Sequence, residues 1–266
     1  MKQKNKLKLA LVQPDTAWED ADLNRFLLTN VIAEMPDGID VVILPEVFTS
    51  GFTMNAAKVA ESMSGSTIKW LKEMAVERDF AICGSLVIAE NDAFYNRFVW
   101  VEPSGKLISY DKRHLFTIEK ETKSYAQGAS LTVIEYKGWK ILPQICYDLR
   151  FPVWSRNTQG YDLMINVANW PAKRRKVWKT LTKARAIENQ CYVAAVNRIG
   201  KDDNPIDYSG DSMVIDFKGK PIMKAENDEG YFIKSINKEK LDAFRKSFNT
   251  LVDADKFELF TQKKSQ

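Results

Sequence analysis

The chain has 266 residues, of which 45% are apolar and 28% charged, a composition typical of a globular protein with a sizeable core. Its formal charge of +4 is spread along the whole length and is too weak to imply a nucleic-acid or membrane partner. Three widely spaced cysteines, Cys83, Cys146 and Cys191, argue against a disulfide framework and favour a cytoplasmic location. The single histidine, His114, excludes sites that need several histidines.

The N-terminal region carries no pattern typical of export or membrane insertion. Residues 1–6 are basic, and the apolar stretch 7–12 that follows is short and interrupted by Lys8. This predicts a first strand rather than a signal peptide. No apolar run in the chain approaches the ~20 residues that a membrane-spanning helix needs.

Strand-like apolar segments alternate with helical patterns. Runs such as 41–44 and 163–167 are continuously apolar, as in strands covered on both faces. The twelve predicted strands are residues 8–13, 40–44, 80–89, 94–101, 107–110, 131–136, 139–146, 163–168, 192–197, 212–217, 221–224 and 231–236. Helical spacing of apolar residues predicts four helices near residues 23–31, 68–75, 177–187 and 241–248, the second capped by Ser66 or Thr67. We therefore predict a layered α/β protein with a single domain over residues 1–266.

Cys146 stands where the apolar segment 139–146 gives way to a polar one. A corner between a strand and a helix exposes a nucleophile and points backbone N–H groups toward a developing oxyanion. The alternative is a buried structural cysteine, and Cys83 and Cys191, each inside an apolar strand, have that pattern. Cys146 is therefore the candidate nucleophile of the three.

Glu46 and Lys112 also follow predicted strands. The ends of strands are where α/β proteins place their sites. A carboxylate there could take the proton of a thiol whose ordinary pKa of ~8.5 keeps it protonated at neutral pH. An ammonium could stabilise a tetrahedral oxyanion, a contribution worth ~10²–10³-fold in rate. Taken singly, Glu46 is more simply a solvated loop glutamate, and Lys112 fits a charged surface turn. We prefer a packed loop histidine to a catalytic role for His114.

Together these segments resemble the Glu-Lys-Cys signature of the nitrilase superfamily of carbon–nitrogen hydrolases, most closely its ω-amidase branch. The resemblance runs from Leu7 to about Ile236. The segments that carry it are Pro45-Glu46, Asp111-Lys112-Arg113-His114-Leu115-Phe116, Ile145-Cys146-Tyr147-Asp148-Leu149-Arg150-Phe151-Pro152, Ala168-Asn169-Trp170-Pro171, 184–190, 196–198 and 210–216.

This resemblance implies a four-layer αββα sandwich, usually assembled as a homodimer or larger homo-oligomer. By position, it implies Glu46 as the general base, Lys112 as the oxyanion-stabilising cation and Cys146 as the nucleophile. The family's frequent second glutamate matches Glu121, with Glu119 as the competing choice; such a carboxylate would hold Lys112 in place. No metal or organic cofactor is implied.

The ω-amidase branch implies a small monoamide of a dicarboxylic acid, such as 2-oxoglutaramate or 2-oxosuccinamate, reacting with water. Its far carboxylate needs a cation, and Arg150, four residues past Cys146, can bind one through two hydrogen bonds. The alternative for Arg150 is a surface or interface ion pair. Trp170 and Phe48 are candidate apolar walls or else core residues, and a backbone N–H near Tyr147 is a second candidate oxyanion donor.

Other functions stay open. The same three residues serve nitrilases, N-carbamoyl amino acid hydrolases and aliphatic amidases, and a catalytically silent member could act as a binding module. The basic segment 173–185 is compatible with nucleic-acid binding. However, Val177, Leu181, Ala184 and Ile187 form an apolar face through it, which favours a solvated amphipathic helix. We expect no nucleic-acid partner and no membrane partner.

Overall fold

The computed structural model describes residues 5–259, so residues 1–4 of the basic N-terminal run lie outside the described residues. Fourteen strands are present in this range: β1 (Lys6–Gln13), β2 (Val41–Ile43), β3 (Ala81–Glu90), β4 (Ala93–Val101), β5 (Leu107–Asp111), β6 (Ile134–Tyr136), β7 (Trp139–Ile145), β8 (Leu163–Ala168), β9 (Tyr192–Asn197), β10 (Ile199–Lys201), β11 (Asp207–Ser209), β12 (Met213–Ile215), β13 (Pro221–Lys224) and β14 (Gly230–Asn237). The α-helices are α1 (Ala21–Ala33), α2 (Ala56–Val59), α3 (Ser66–Arg78), α4 (Glu121–Ser124), α5 (Arg175–Glu188) and α6 (Lys238–Ser247).

Twelve of the strands form two six-stranded mixed sheets. The first has the order β14-β1-β2-β3-β4-β5, and the second has the order β13-β12-β9-β8-β7-β6. In each sheet three neighbouring strands are parallel, β1-β2-β3 in the first and β7-β8-β9 in the second. The outer strands pair antiparallel.

The inner faces of the two sheets share one core. Residues such as Leu9 and Trp100 of the first sheet and Ile141 and Ile165 of the second belong to the same buried cluster. The outer face of the first sheet packs against α1 and α3, and the outer face of the second packs against α5. Helix, sheet, sheet and helix therefore form four layers, which confirms the αββα sandwich.

Two helices differ in detail from the sequence-based expectation. The N-cap of α3 is Gly65, and neither Ser66 nor Thr67 caps it; instead the Glu61 carboxylate accepts from the Thr67 backbone N–H at 2.8 Å. In α5 the buried face includes Trp178 and Arg185, whereas Ile187 is 54% exposed. The buried Arg185 guanidinium has polar partners there, the Leu149 backbone carbonyl and the Glu188 carboxylate.

A hairpin formed by β10 and β11 was not predicted from the sequence. Its strands have only three residues each and carry charged and glycine residues, so they show no apolar periodicity. Isolated bridges join Asp15 to Ile199 and Pro171 to Tyr208. The hairpin therefore connects the segment after β1 with the segment after β8.

The helices found in residues 5–259 are all too short or too polar to cross a membrane.

Candidate active site

Cys146 begins a short 3₁₀-helix, Cys146–Arg150, directly after β7. Its backbone has a φ of +44°, a strained conformation for a residue with a side chain. Asp148 holds this turn, because its Oδ2 accepts from the Ile145 backbone N–H at 3.1 Å and from the Tyr110 hydroxyl at 2.8 Å. Arg185 donates to the Leu149 carbonyl at 2.6 Å from the other side. The strand-to-helix corner expected at Cys146 is present and is fixed by buried hydrogen bonds.

His114 belongs to the support of this turn. Its backbone N–H and its ring Nδ1 lie 2.9 and 2.8 Å from Asp148 Oδ1. The imidazole stacks on Phe151 with ring centroids 3.7 Å apart, and it does not line the pocket at Cys146. The only histidine therefore packs behind the turn.

Glu46 lies just beyond the C-terminal end of β2 and is 1% exposed. Its Oε1 accepts from Asn96 Nδ2 at 2.8 Å and from Lys112 Nζ at 2.8 Å. Its Oε2 accepts from the Asn169 backbone N–H at 2.8 Å, and Asn169 Nδ2 donates to the Glu46 backbone carbonyl at 2.6 Å. Because Asn169 follows β8, residues from both sheets position this carboxylate.

Lys112 follows β5 and is 1% exposed. Besides Glu46, its ammonium contacts both carboxylate oxygens of Glu121, at 2.9 and 3.1 Å. Glu121 is fully buried, and its Oε2 accepts from the Phe116 backbone N–H at 2.5 Å. Glu119 is exposed and makes no contact with Lys112 in the described structure. We call Glu46, Lys112 and Glu121 the buried trio.

The pKa shifts follow from this crowding of charge. Burial raises the pKa of the Cys146 thiol well above its usual range, and the Glu46 carboxylate raises it further while Lys112 opposes the shift. Burial lowers the pKa of Lys112, but the Glu121 and Glu46 carboxylates outweigh burial and hold that pKa high. Burial also raises the pKa of Glu121, which shares one ammonium with a second carboxylate. At neutral pH the thiol is therefore protonated and needs a base.

A cleft opens onto Glu46, Lys112 and Cys146, and it is lined by aromatic side chains together with these polar groups. Tyr147, Arg150 and Trp170, three of the residues expected to bind substrate, line it. The Arg150 guanidinium lies 5.1 Å from the centroid of the Trp170 ring. Lining residues to which the sequence analysis gave no role in the site are Phe52, Phe116, Asn169, Pro171, Arg174, Ile206 and Tyr208.

Phe48 does not line the cleft, which corrects its assignment as a candidate apolar wall and leaves the alternative of a core residue. Its side chain is fully buried on the outer face of the first sheet, 6.1 Å from Trp70 between ring centroids. A Cβ placed on Gly84 would lie only 2.8 Å from Phe48 Cδ1, so the ring is tightly enclosed. Val47, with a φ of +39°, turns the chain away from the cleft after Glu46. Phe52, whose ring centroid is 5.0 Å from Lys112 Nζ, is the wall that this loop contributes.

The profile of the carbon–nitrogen hydrolase family matches residues 8–246. The chain belongs to the carbon–nitrogen hydrolase family. It is 46% identical to the ω-amidase YafV of Yersinia enterocolitica, over 94% of this chain and 98% of that protein. It is 34% identical to the 2-oxoglutaramate amidase of Bacillus subtilis, over 82% of this chain and 85% of that protein.

A solved structure agrees with the same family. A CN-hydrolase superfamily protein of Xanthomonas campestris, crystallised with an arsenic adduct in its active site, superimposes with a TM-score of 0.94 at 43% identity. The match covers 97% of this chain and 100% of that one. The chain is therefore a hydrolase of carbon–nitrogen bonds by family, with the superfamily's architecture over nearly its whole length.

Proposed function

We propose that this protein is an ω-amidase that hydrolyses small monoamides of dicarboxylic acids, with 2-oxoglutaramate and 2-oxosuccinamate as the expected substrates. One observation carries the proposal. Glu46 and Lys112 of the buried trio line the same cleft as Cys146 and act on its thiol, while the Arg150 guanidinium lines that cleft without a carboxylate partner among residues 5–259. The names of the similar ω-amidase and 2-oxoglutaramate amidase support the same substrate class.

In the proposed first half-reaction, Glu46 takes the Cys146 proton as the sulfur attacks the amide carbonyl. The raised pKa of the thiol makes this proton transfer necessary, because little thiolate exists beforehand at neutral pH. Lys112 and the backbone N–H of Tyr147, in the first turn of its 3₁₀-helix, hold the oxyanion. Glu46 then gives the proton to the leaving nitrogen, and ammonia departs from a thioester.

In the second half-reaction, Glu46 removes a proton from a water molecule while the water oxygen attacks the thioester carbonyl. The sulfur leaves, takes up the proton and regenerates the thiol, and the second carboxylic acid is released. Glu121 supports both halves by keeping the Lys112 ammonium in place through two contacts. Arg150 binds the far carboxylate of the substrate. The Trp170 ring lies against the Arg150 guanidinium and holds it in position.

The organisation of the protein completes the proposal. We expect a single domain, because one core joins both sheets. Three free thiols at Cys83, Cys146 and Cys191 support a cytoplasmic location. A homodimer or larger homo-oligomer is expected from the family resemblance, and light scattering coupled to gel filtration measures it.

The test is ammonia release from 2-oxoglutaramate, 2-oxosuccinamate, glutamine, an aliphatic amide, a nitrile and an N-carbamoyl amino acid. Wild type is compared with Cys146→Ala and with the matched variant Cys191→Ala, whose thiol is buried under α5 away from the cleft. We expect fast turnover of the 2-oxo acid amides that Cys146→Ala abolishes and Cys191→Ala retains. Preference for another member of the panel contradicts the substrate assignment, and full activity of Cys146→Ala contradicts the mechanism.

A further inference from the structure

Arg174 is a second cation in the cleft, and sequence reasoning treated it only as part of a basic segment. It closes a short 3₁₀-helix, Ala172–Arg174, immediately before α5. Its side chain is half-buried and crosses to the loop after β5, where its guanidinium lies 5.2 Å from the centroid of the Phe116 ring. Both Arg174 and Phe116 line the cleft that contains Cys146.

The other cations of segment 173–179 either pair with a carboxylate or do not line the cleft. Arg175 and Lys179 both pair with Asp211, at 2.9 and 2.6 Å. Lys173 is exposed and does not line the cleft. Arg174, in contrast, has no carboxylate partner in the part of the chain that the structure describes, a property it shares with Arg150. The cleft therefore holds two uncompensated guanidinium groups.

Trp170 contacts both arginines. The face of its indole lies under the Arg150 guanidinium, and its Nε1–H donates to the Arg174 backbone carbonyl at 3.0 Å. Trp170 is itself anchored, since its backbone N–H donates to Asn197 Oδ1 at 2.7 Å. A guanidinium that stacks on an aromatic ring uses its face and keeps its N–H groups free for a ligand in its plane.

We propose that Arg174 is a specificity-determining residue that binds the carboxylate end of the substrate together with Arg150. This inference rests on the proposed function, since it deepens the recognition of the same substrates. Two guanidinium groups supply enough donors for both carboxylate oxygens. A neutral substrate such as pentanamide has no carboxylate at its far end to accept these hydrogen bonds. Glu119 also lines the cleft but forms no ion pair with either arginine in the described residues, so it does not cancel them.

The test compares Arg174→Gln with Lys173→Gln, which removes the same charge one residue earlier from an exposed position outside the cleft. Kinetics are measured on 2-oxoglutaramate, on glutaramate, which keeps the carboxylate but lacks the ketone, and on neutral pentanamide. We expect Arg174→Gln to raise KM about ten- to a hundred-fold for both carboxylates, the size expected for a charge-assisted hydrogen-bonding group. Turnover of pentanamide by Arg174→Gln, and all three reactions of Lys173→Gln, should match wild type. Arg174→Lys should recover part of the loss.

Binding of glutarate to Cys146→Ala protein, measured by calorimetry with and without Arg174→Gln, gives a readout free of chemistry. A weaker affinity in the double variant is the expected result. Unchanged glutarate affinity, an unchanged KM for both carboxylates, or an equal loss on pentanamide would each overturn the role of Arg174. If wild type turns over none of the carboxylate monoamides, the proposed function fails instead, and the glutarate titration still tests Arg174 alone.

Discussion

Two groups of residues at the cleft differ in how their charges are satisfied. The buried trio is at most 1% exposed, and each member contacts another within 3 Å. Four lining residues, which we call the pocket rim, are instead half-buried or exposed: Phe116, Glu119, Arg150 and Arg174. The rim arginines have aromatic neighbours but no ion pairs among the described residues.

This difference separates chemistry from recognition. Buried charges must be paired by the protein itself, because an unpaired ion inside the fold is strongly destabilising. The trio is therefore positioned before substrate arrives. Charges at the rim are partly hydrated and tolerate the lack of a partner, so a substrate carboxylate can become that partner. We expect substitutions in the trio to lower the rate constant and substitutions at the rim to weaken binding.

The largest effect is expected from Glu46→Gln. Loss of the general base should lower kcat by about 10²–10⁴-fold. The same change removes a carboxylate that raises the pKa of the Cys146 thiol and leaves Lys112, which lowers that pKa, so the thiol pKa should fall. Alkylation by iodoacetamide, which requires thiolate, should therefore reach its midpoint at a lower pH than in wild type. A midpoint at the same or a higher pH would contradict the effect of the Glu46 carboxylate on the pKa of the Cys146 thiol.

An intermediate effect is expected from Glu121→Gln, with Glu119→Gln as its matched control. A neutral amide at this position cannot pair with the Lys112 ammonium as a carboxylate does, and kcat should fall by about ten-fold, as expected for a charged hydrogen bond. Glu119→Gln should leave kcat within about two-fold, because Glu119 is exposed and only borders the cleft. Equal losses of kcat in Glu121→Gln and Glu119→Gln would contradict a specific role for the ion pair between Glu121 and Lys112.

The same pair of variants gives a pH test. The pKa of Glu121 is raised in the folded protein. The folded state therefore keeps this proton when the unfolded chain has already lost it above its ordinary pKa of ~4.3, and stability falls as pH rises through the folded pKa. Chemical denaturation at several pH values should show a smaller decline for Glu121→Gln than for wild type. Glu119→Gln should retain the decline of wild type.

The smallest effect is expected from Trp170→Phe. The change keeps an aromatic face under Arg150 but removes the hydrogen bond to the Arg174 carbonyl, so KM for 2-oxoglutaramate should rise about five-fold, equivalent to ~1 kcal/mol. Trp70→Phe is the control, because its indole N–H makes a similar bond of 2.9 Å to the Thr29 hydroxyl, outside the cleft. It should lower stability without changing KM; a matching rise in KM would show that the effect is a general loss of packing.

The fold and the positions of Glu46, Lys112 and Cys146 could be predicted because their signals are local. Glu46, Lys112 and Cys146 each follow an apolar strand, and strand ends converge in α/β sandwiches. The choice between Glu119 and Glu121 could not be made from the sequence. Lys120, with a φ of +61°, separates the 3₁₀-helix Thr117–Glu119 from α4, so that Glu119 is exposed and Glu121 is buried.

Phe48 and Arg174 mark where the sequence is insufficient. From the sequence Phe48 could be either an apolar wall or a core residue, and the backbone turn at Val47 directs it to the core. Arg174 looked like one of several solvated cations, and only tertiary contacts with Phe116 and Trp170 distinguish it. Tyr208 was missed for a related reason, because the short polar hairpin that carries it has no periodic pattern and depends on its bridge to Pro171.

The division of the site between two sheets also has a consequence during synthesis of the protein. Glu46 and Lys112 belong to the half of the chain that leaves the ribosome first, and Cys146 and Asn169 to the half that follows. A nascent chain that has produced only the first sheet's central strands carries the proposed base, Glu46, without the proposed nucleophile, Cys146. In the proposed mechanism the Cys146 thiol meets its base only once the second sheet docks, so we expect amide hydrolysis to report on the completion of folding in refolding or translation experiments.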